Sequence, residues 1–316
     1  MNRVSYYITL EGLGEDPGTI DVQTLRDLLD GLLDSAGRVL RLSIEGTSTR
    51  PGRHPKWLDR SLRFVVTGME SGSTVLPIEV PQLGESAPAV LEQEDLWLEK
   101  PSPDDTALSL LGRAVKDIAS LNRESQRIDR GVLRAMEEFG GVVRDDRRLR
   151  IESENGTQTG FQIDQSHLRN AEELERETPE PRAVVLSGQL DVIDYSNRGF
   201  RLKTADDRTL RGAASKDVVD ADRLRNLWGK KVTLEGQAHF TPAGRIRFIE
   251  TRVVREFRDE EALFEKSPAE VEEEARRTKA VSRRELAERD AGKKIDQVRG
   301  TWPGDESIDE ILAALD

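Results

Sequence analysis

The residues in this chain best suited to chemistry are two pairs of acids, a serine set between glycines, and a run of basic and aromatic side chains. Asp145-Asp146 and Asp206-Asp207 are adjacent carboxylates of the kind that can share proton transfer. Each pair falls where a turn is expected, so solvated turn residues are the better reading. In GMESGSTV (68–75) the glycines do not have the spacing of a nucleophile elbow, and the stretch joins two expected strands. The sequence has no P-loop, no GxGxxG after a strand and no HExxH. Cysteine is absent, and His54, His167 and His239 stand far apart in unrelated contexts. Neither a thiol nucleophile nor a histidine-based metal cluster is expected. The expectation is a protein that is not an enzyme and needs no cofactor.

Recognition chemistry is better supplied. Tyr195, Arg198, Phe200, Arg201 and Lys203 mix rings with cations, and Arg208 and Arg211 follow on the next expected strand. Stacking on rings together with phosphate contact is how single-stranded nucleic acid is held. In a regular strand Phe200 and Leu202 cannot share a face with Arg201 and Lys203, so the apolar pair is expected inside and the basic pair outside. Arg50, Arg53, His54 and Lys56 make a second basic loop, where a solvated loop is the simpler reading.

The last residues, RGTWPGDESIDEILAALD, carry a different kind of signal. Ser307 and Glu310 have the spacing of a capping box. Ile308, Ile311, Leu312 and Leu315 form one apolar stripe at helical spacing. A helix this short is marginal alone, since isolated helices below roughly 12–15 residues are barely stable in water. Trp302 would serve as an aromatic anchor beside it. The stretch 299–316 is therefore expected to become helical against a partner.

These features need elements to position them. The 316 residues suffice for about two domains. The composition is charge-rich, with 34% charged and 36% hydrophobic residues, 5% aromatic residues and a net charge of −12. RVSYYITL reads as a strand, DVQTLRDLLDGLLDSAG as a helix ended by Gly37, and VLRLSIEG, LRFVVTGM and STVLPIEV as further strands. Residues 103–143 read as helices, and RLRIESENGTQTGFQID as a hairpin around Asn155-Gly156. Residues 1–175 are thus one α+β sheet domain. After ERETPEPR the order becomes three strands, a helix and two strands over 181–256, which is the order of an OB-like five-stranded barrel. Gly188 stands where such a strand would bend. This barrel is the basic part of an acidic protein, with 15 Lys+Arg against 10 Asp+Glu. Residues 257–316 hold 11 Lys+Arg against 17 Asp+Glu and few large apolar residues, giving an extended, charged helical tether that ends in the partner-binding helix. The start lacks an apolar core of signal-peptide length, and nowhere do about 18 apolar residues run together. A cytoplasmic protein that does not engage membranes is expected.

TWPGDESIDEILAALD resembles the ends of bacterial antitoxin-type proteins encoded beside PIN-domain ribonuclease toxins, the partner logic of VapBC-like systems. The likeness covers about 16 of the 316 residues. SGQLDVIDYSNRGFRLKTADDRTLRGA and VTLEGQAHFTPAGRIRFIE resemble the β-domain of large bacterial proteins from the same genomic neighbourhood. A ribbon-helix-helix or swapped-hairpin start, usual in small antitoxins, is not found here. The resemblance implies an antitoxin-like protein that neutralises a PIN-domain toxin. Arg299, Trp302, Pro303, Gly304, Asp305, Glu306, Ile308, Ile311, Leu312 and Leu315 would be its partner-binding residues. Arg299 would reach the acidic metal site of the nuclease, a role Lys293 and Lys294 could fill instead. The alternative is an OB-fold protein of bacterial defence or RNA metabolism that binds single-stranded nucleic acid through Tyr195, Arg198, Arg201, Lys203 and Arg211.

Overall fold

A computed structural model describes residues 2–12, 19–50, 52–68, 75–92, 101–154, 156, 158, 160–193, 199–214 and 221–290. The chain opens with β1 (Arg3–Glu11), whose alternation buries Tyr6, Ile8 and Leu10 on one face. Next come α1 (Val22–Glu45), α2 (Lys56–Ser61), β2 (Val65–Val66), β3 (Val75–Pro81), α3 (Leu83–Ser86) and α4 (Pro88–Leu91). They are followed by α5 (Ala107–Ala119), α6 (Arg130–Ala135) with a 3-10 turn over Met136–Gly141, β4 (Arg148–Ser153), β5 (Phe161–Ile163) and α7 (Gln165–Glu177). The strands form one sheet in the order β2-β3-β1-β4-β5, antiparallel throughout. Its inward face meets α1, α5 and the 3-10 turn in a core that includes Leu28, Leu32, Leu111, Ile118, Phe139 and Ile151.

One expectation is overturned here. VLRLSIEG is not a strand, because α1 runs without a break from Val22 to Glu45. Gly37 does not stop it. A Cβ at that position would lie 2.9 Å from Leu62 Cδ1, so the glycine is a point of close packing within the helix. The stop is Gly46, in the left-handed region at φ +76°, whose N–H reaches Leu42 O. Asp21 starts the helix by accepting from Thr24 N at 2.9 Å. LRFVVTGM is likewise mostly not strand: Leu62 caps the end of α2, and only Val65–Val66 pair with β3. The hairpin of β4 and β5 forms as read, with Leu149 opposite Ile163.

Capping fixes the entry to α7. Asp164 accepts from Ser166 N at 2.9 Å and lies 2.8 Å from His167 Nδ1. Burial alone would raise its pKa, but hydrogen bonds from Ser166 and His167 and the His167 charge outweigh that and hold it down to about 2. A depressed carboxylate stabilises the fold when ionised. The contribution is complete above its unfolded value of about 4 and is lost as pH falls through about 2. Asp164→Ala should cost about 0.5–2 kcal/mol at pH 7. In urea denaturation across pH the gap to the parent should close as the medium is acidified below about pH 4. A gap constant down to the lowest pH at which both proteins fold would refute this account.

The second unit is β6 (Arg182–Ile193), β7 (Gly199–Lys203), β8 (Thr209–Ala214), α8 (Ala221–Asn226), β9 (Lys231–Phe240) and β10 (Ile246–Glu256). The strands close into a barrel in the order β10-β8-β7-β6-β9. β8 and β10 run parallel, and the other pairs are antiparallel. This is the expected OB-like barrel, with α8 between the third and fourth strands. Gly188 is where β6 crosses β7: a Cβ there would sit 2.5 Å from Lys203 O. Phe200 and Leu202 fill the interior with Leu186, Leu234, Phe240 and Ile249, while Arg201 and Lys203 point outward, as the alternation requires.

A 3-10 turn (Asp259–Phe264) and α9 (Pro268–Asp290) follow. The charged segment from 257 does not begin as a free tether, because Val271 and Ala275 are buried in the barrel core. A charge count misses this anchorage, since Val271 and Ala275 dock the helix together with Glu272, an acid that a count reads as solvent-facing and that is buried here. Among the described residues no helix is long and apolar enough to cross a membrane.

Candidate functional site

The outer face of β7, β8 and β10 gathers three arginines. Arg201 and Arg211 are direct cross-strand partners. Arg247 joins them from β10, close enough for its charge to act on Arg211. Like charges in neighbouring strands are unfavourable unless something offsets them. Burial, and then the charges of Arg247 and Arg201, push the Arg211 guanidinium down to about 10, so it keeps its charge at neutral pH. No hydrogen bond or ion pair holds Arg211 among the described residues.

Arg247 is the most constrained of the three. Its side chain is 4% exposed, and burial pushes its pKa below the ordinary arginine value against the opposing effect of Asp129. Asp129 does not fully compensate it. That carboxylate already accepts from Val132 N at 2.9 Å and from Ser48 N at 3.0 Å, and it lies 3.5 Å from Arg247 Nη2. Nε and Nη2 of Arg247 are buried without a hydrogen-bond acceptor, as is Nε of Arg201. Buried polar atoms are normally satisfied, and buried cations left unpaired are costly.

The N-terminal unit closes over this face. Phe248 packs on Gly46, where an added Cβ would overlap its ring. Ala243 N donates to Arg123 O at 3.0 Å, and Arg245 pairs with Glu124 at 3.2 Å. Between the units lies a cavity of about 280 Å³. Its barrel wall carries Arg211, Arg247 and Phe248, and its opposite wall Arg113, Arg127 and Gln126. Arg113 is paired with Asp105 and Arg127 with Asp117. The barrel wall thus contributes the uncompensated charge. A space lined this way can hold an anion.

Of the expected nucleic-acid residues, the structure brings together Arg201 and Arg211. Lys203 is engaged elsewhere, 2.8 Å from Asp207, and its pKa is raised by that hydrogen bond and charge. Tyr195 and Arg198 lie outside the described residues, as do Arg299, Trp302, Pro303, Gly304, Asp305, Glu306, Ile308, Ile311, Leu312 and Leu315. The reading missed Arg247. Its signal was present in the run Ile246-Arg247-Phe248-Ile249, where a cation interrupts consecutive apolar residues of one strand.

The other sequence candidates fall where turns and ion pairs explain them. Asp145 and Asp146 are exposed at φ +56° and +65°, and Asp207 sits in a turn at φ +61°. Arg50 and His54 stand near Glu45 and Asp59, at 3.9 and 3.8 Å. Residues 69–74 of the GMESGSTV stretch lie outside the described residues. Among the described residues no group of three His, Cys, Asp or Glu is placed to hold a metal ion. Comparison with protein-family models, with curated proteins and with solved structures finds no match for this chain.

Proposed function

We propose that this is a non-enzymatic, antitoxin-like protein that binds and neutralises a PIN-domain ribonuclease toxin through residues 299–316. The observation that carries the reading is the sequence spacing of Ile308, Ile311, Leu312 and Leu315, one apolar stripe at helical period over a stretch of about nine residues, a length at which isolated helices are marginal. The rest of the fold supports it indirectly. The sheet and barrel cores are each closed by described residues, and α9 leaves the barrel with its first turns held by Val271 and Ala275. The chain beyond is rich in charge and sparse in large apolar residues until Trp302. Burying one Leu or Ile is worth roughly 1.5–3 kcal/mol, so four together can offset the ordering of a short segment. Arg299 would pair with acidic groups of the nuclease site.

Deletion of 299–316 tests the reading. Co-expressed with a PIN-domain ribonuclease encoded beside it, the full chain would be expected to co-purify with that nuclease and suppress its activity. The truncated chain should do neither, while melting within about 1 °C of the parent. A deletion that lowers the melting temperature by several degrees would mean the helix packs on its own molecule. The groove of about 570 Å³ between α9 and the barrel, lined by Val184, Val253 and Val271, would be the place.

A further inference from the structure

We infer that the cavity between the sheet unit and the barrel is a binding site for a phosphate monoester group, gripped by Arg211 and Arg247. The inference does not rest on the tail or its partner.

Charge is compensated on one wall of the cavity and not fully on the other. Arg113 and Arg127 on one wall have their own carboxylates, Asp105 and Asp117. Across from them Arg211 has no anion, and Arg247 shares Asp129 with two backbone N–H groups. Two buried nitrogens of Arg247 have nothing to donate to. A surplus of about one positive charge, with several unpartnered guanidinium N–H groups, therefore faces one small space. A phosphate monoester carries about −1.5 to −2 charges at neutral pH and three acceptor oxygens. A carboxylate or a phosphodiester offers only two charged oxygens, whereas a terminal phosphate offers three to the donors of two guanidinium groups. Guanidinium groups also present paired donors that match phosphate oxygens.

Size and enclosure narrow the ligand further. At about 280 Å³ the cavity is at the lower edge of the roughly 300–1,000 Å³ usual for small-molecule sites. Phe248 on Gly46 and the contacts of Ala243 and Arg245 close the face along which a strand would otherwise lie. A terminal phosphate fits this enclosure, and a polynucleotide crossing the face does not. Phe248 and Gln126 are placed to meet whatever the phosphate is attached to.

The full chain in phosphate-free buffer provides the test. Its melting temperature would be measured with inorganic phosphate, a nucleoside 5′-monophosphate, a 5′-phosphorylated tetranucleotide and the same tetranucleotide unphosphorylated. Potassium chloride would match the ionic strength in every arm. At concentrations far above Kd the phosphate-bearing probes should raise the melting temperature by roughly 4 °C or more, and the unphosphorylated strand should not. The probe that raises it most identifies the source of the group. Arg211→Gln and Arg247→Met should each lose most of the rise. Arg247→Met also takes the counter-charge from Asp129, so its melting without ligand is the baseline against which its rise is read. If Arg247→Met fails to fold, Arg211→Gln alone decides. No rise beyond chloride, an equal rise in the foldable variants, or an equal rise with the unphosphorylated strand would overturn the assignment.

Discussion

Gly236→Ala should destabilise the barrel by about 3 kcal/mol or more, an unusually large effect for adding a single methyl group. Gly236 lies on β9 between two neighbours, opposite Val184 of β6 and Thr251 of β10. A Cβ there would overlap the carbonyl oxygen of Glu250 and approach Thr251 Cα at 2.8 Å. Both are backbone atoms, so no side-chain rotation relieves the clash. The register between β9 and β10 shifts beside this point, between Thr251 and Val253. The strands are therefore already bent, as barrel closure requires. Overpacking in a closed core costs about 1–3 kcal/mol, and more when backbone must move. Gly68→Ala is the control, because nothing lies within 4 Å of a Cβ at that position. Chemical denaturation of both variants compares the two costs. A loss below about 1 kcal/mol for Gly236→Ala would mean that β9 and β10 separate more easily than their pairing suggests.

Glu272→Ala should detach α9 and cost about 2–4 kcal/mol. The Glu272 side chain is 7% exposed. One oxygen accepts from Arg208 Nη2 at 2.6 Å and Ile246 N at 2.8 Å, and the other from Arg208 Nη1 at 3.2 Å. Removing the carboxylate strands a guanidinium and a buried backbone N–H together. Breaking a fully buried pair costs about 3–5 kcal/mol. Arg208 is about one-third exposed, so water screens part of that loss. Glu272→Gln keeps an oxygen for Ile246 N and should lose less. Limited trypsin digestion gives an independent readout. Arg276 and Arg277 follow the anchored turns, and they should be cut sooner once Val271 and Ala275 lose their hold. Unchanged digestion together with unchanged melting would show that the two apolar side chains alone secure α9.

Much of the architecture is determined by the sequence on its own, because it depends on neighbours a few residues apart. Alternation at Leu149, Ile151, Phe161 and Ile163 specifies the β4–β5 hairpin, and alternation at Phe200 and Leu202 puts Arg201 and Lys203 outside the barrel. The order of strands and one helix over 181–256 suffices for the OB-like barrel, since few closures accommodate it.

Tertiary structure decided the rest, wherever a residue's meaning depended on something distant. Gly37 has the composition of a helix stop, but Leu62, 25 residues away, needs its missing Cβ, so α1 continues to Gly46. Val271 and Ala275 look too sparse to form a core, yet the barrel supplies the other side of one. The arginine site is the clearest case. Arg113, Arg127, Arg201, Arg211 and Arg247 are alike in sequence, and a charge count treats them as equal. Only folding pairs Arg113 and Arg127 closely with carboxylates while leaving Arg211 with none and Arg247 with Asp129 at 3.5 Å and two unsatisfied nitrogens. Periodicity reports which face a side chain occupies, but electrostatic compensation acts through space between strands and units that are not neighbours in the chain.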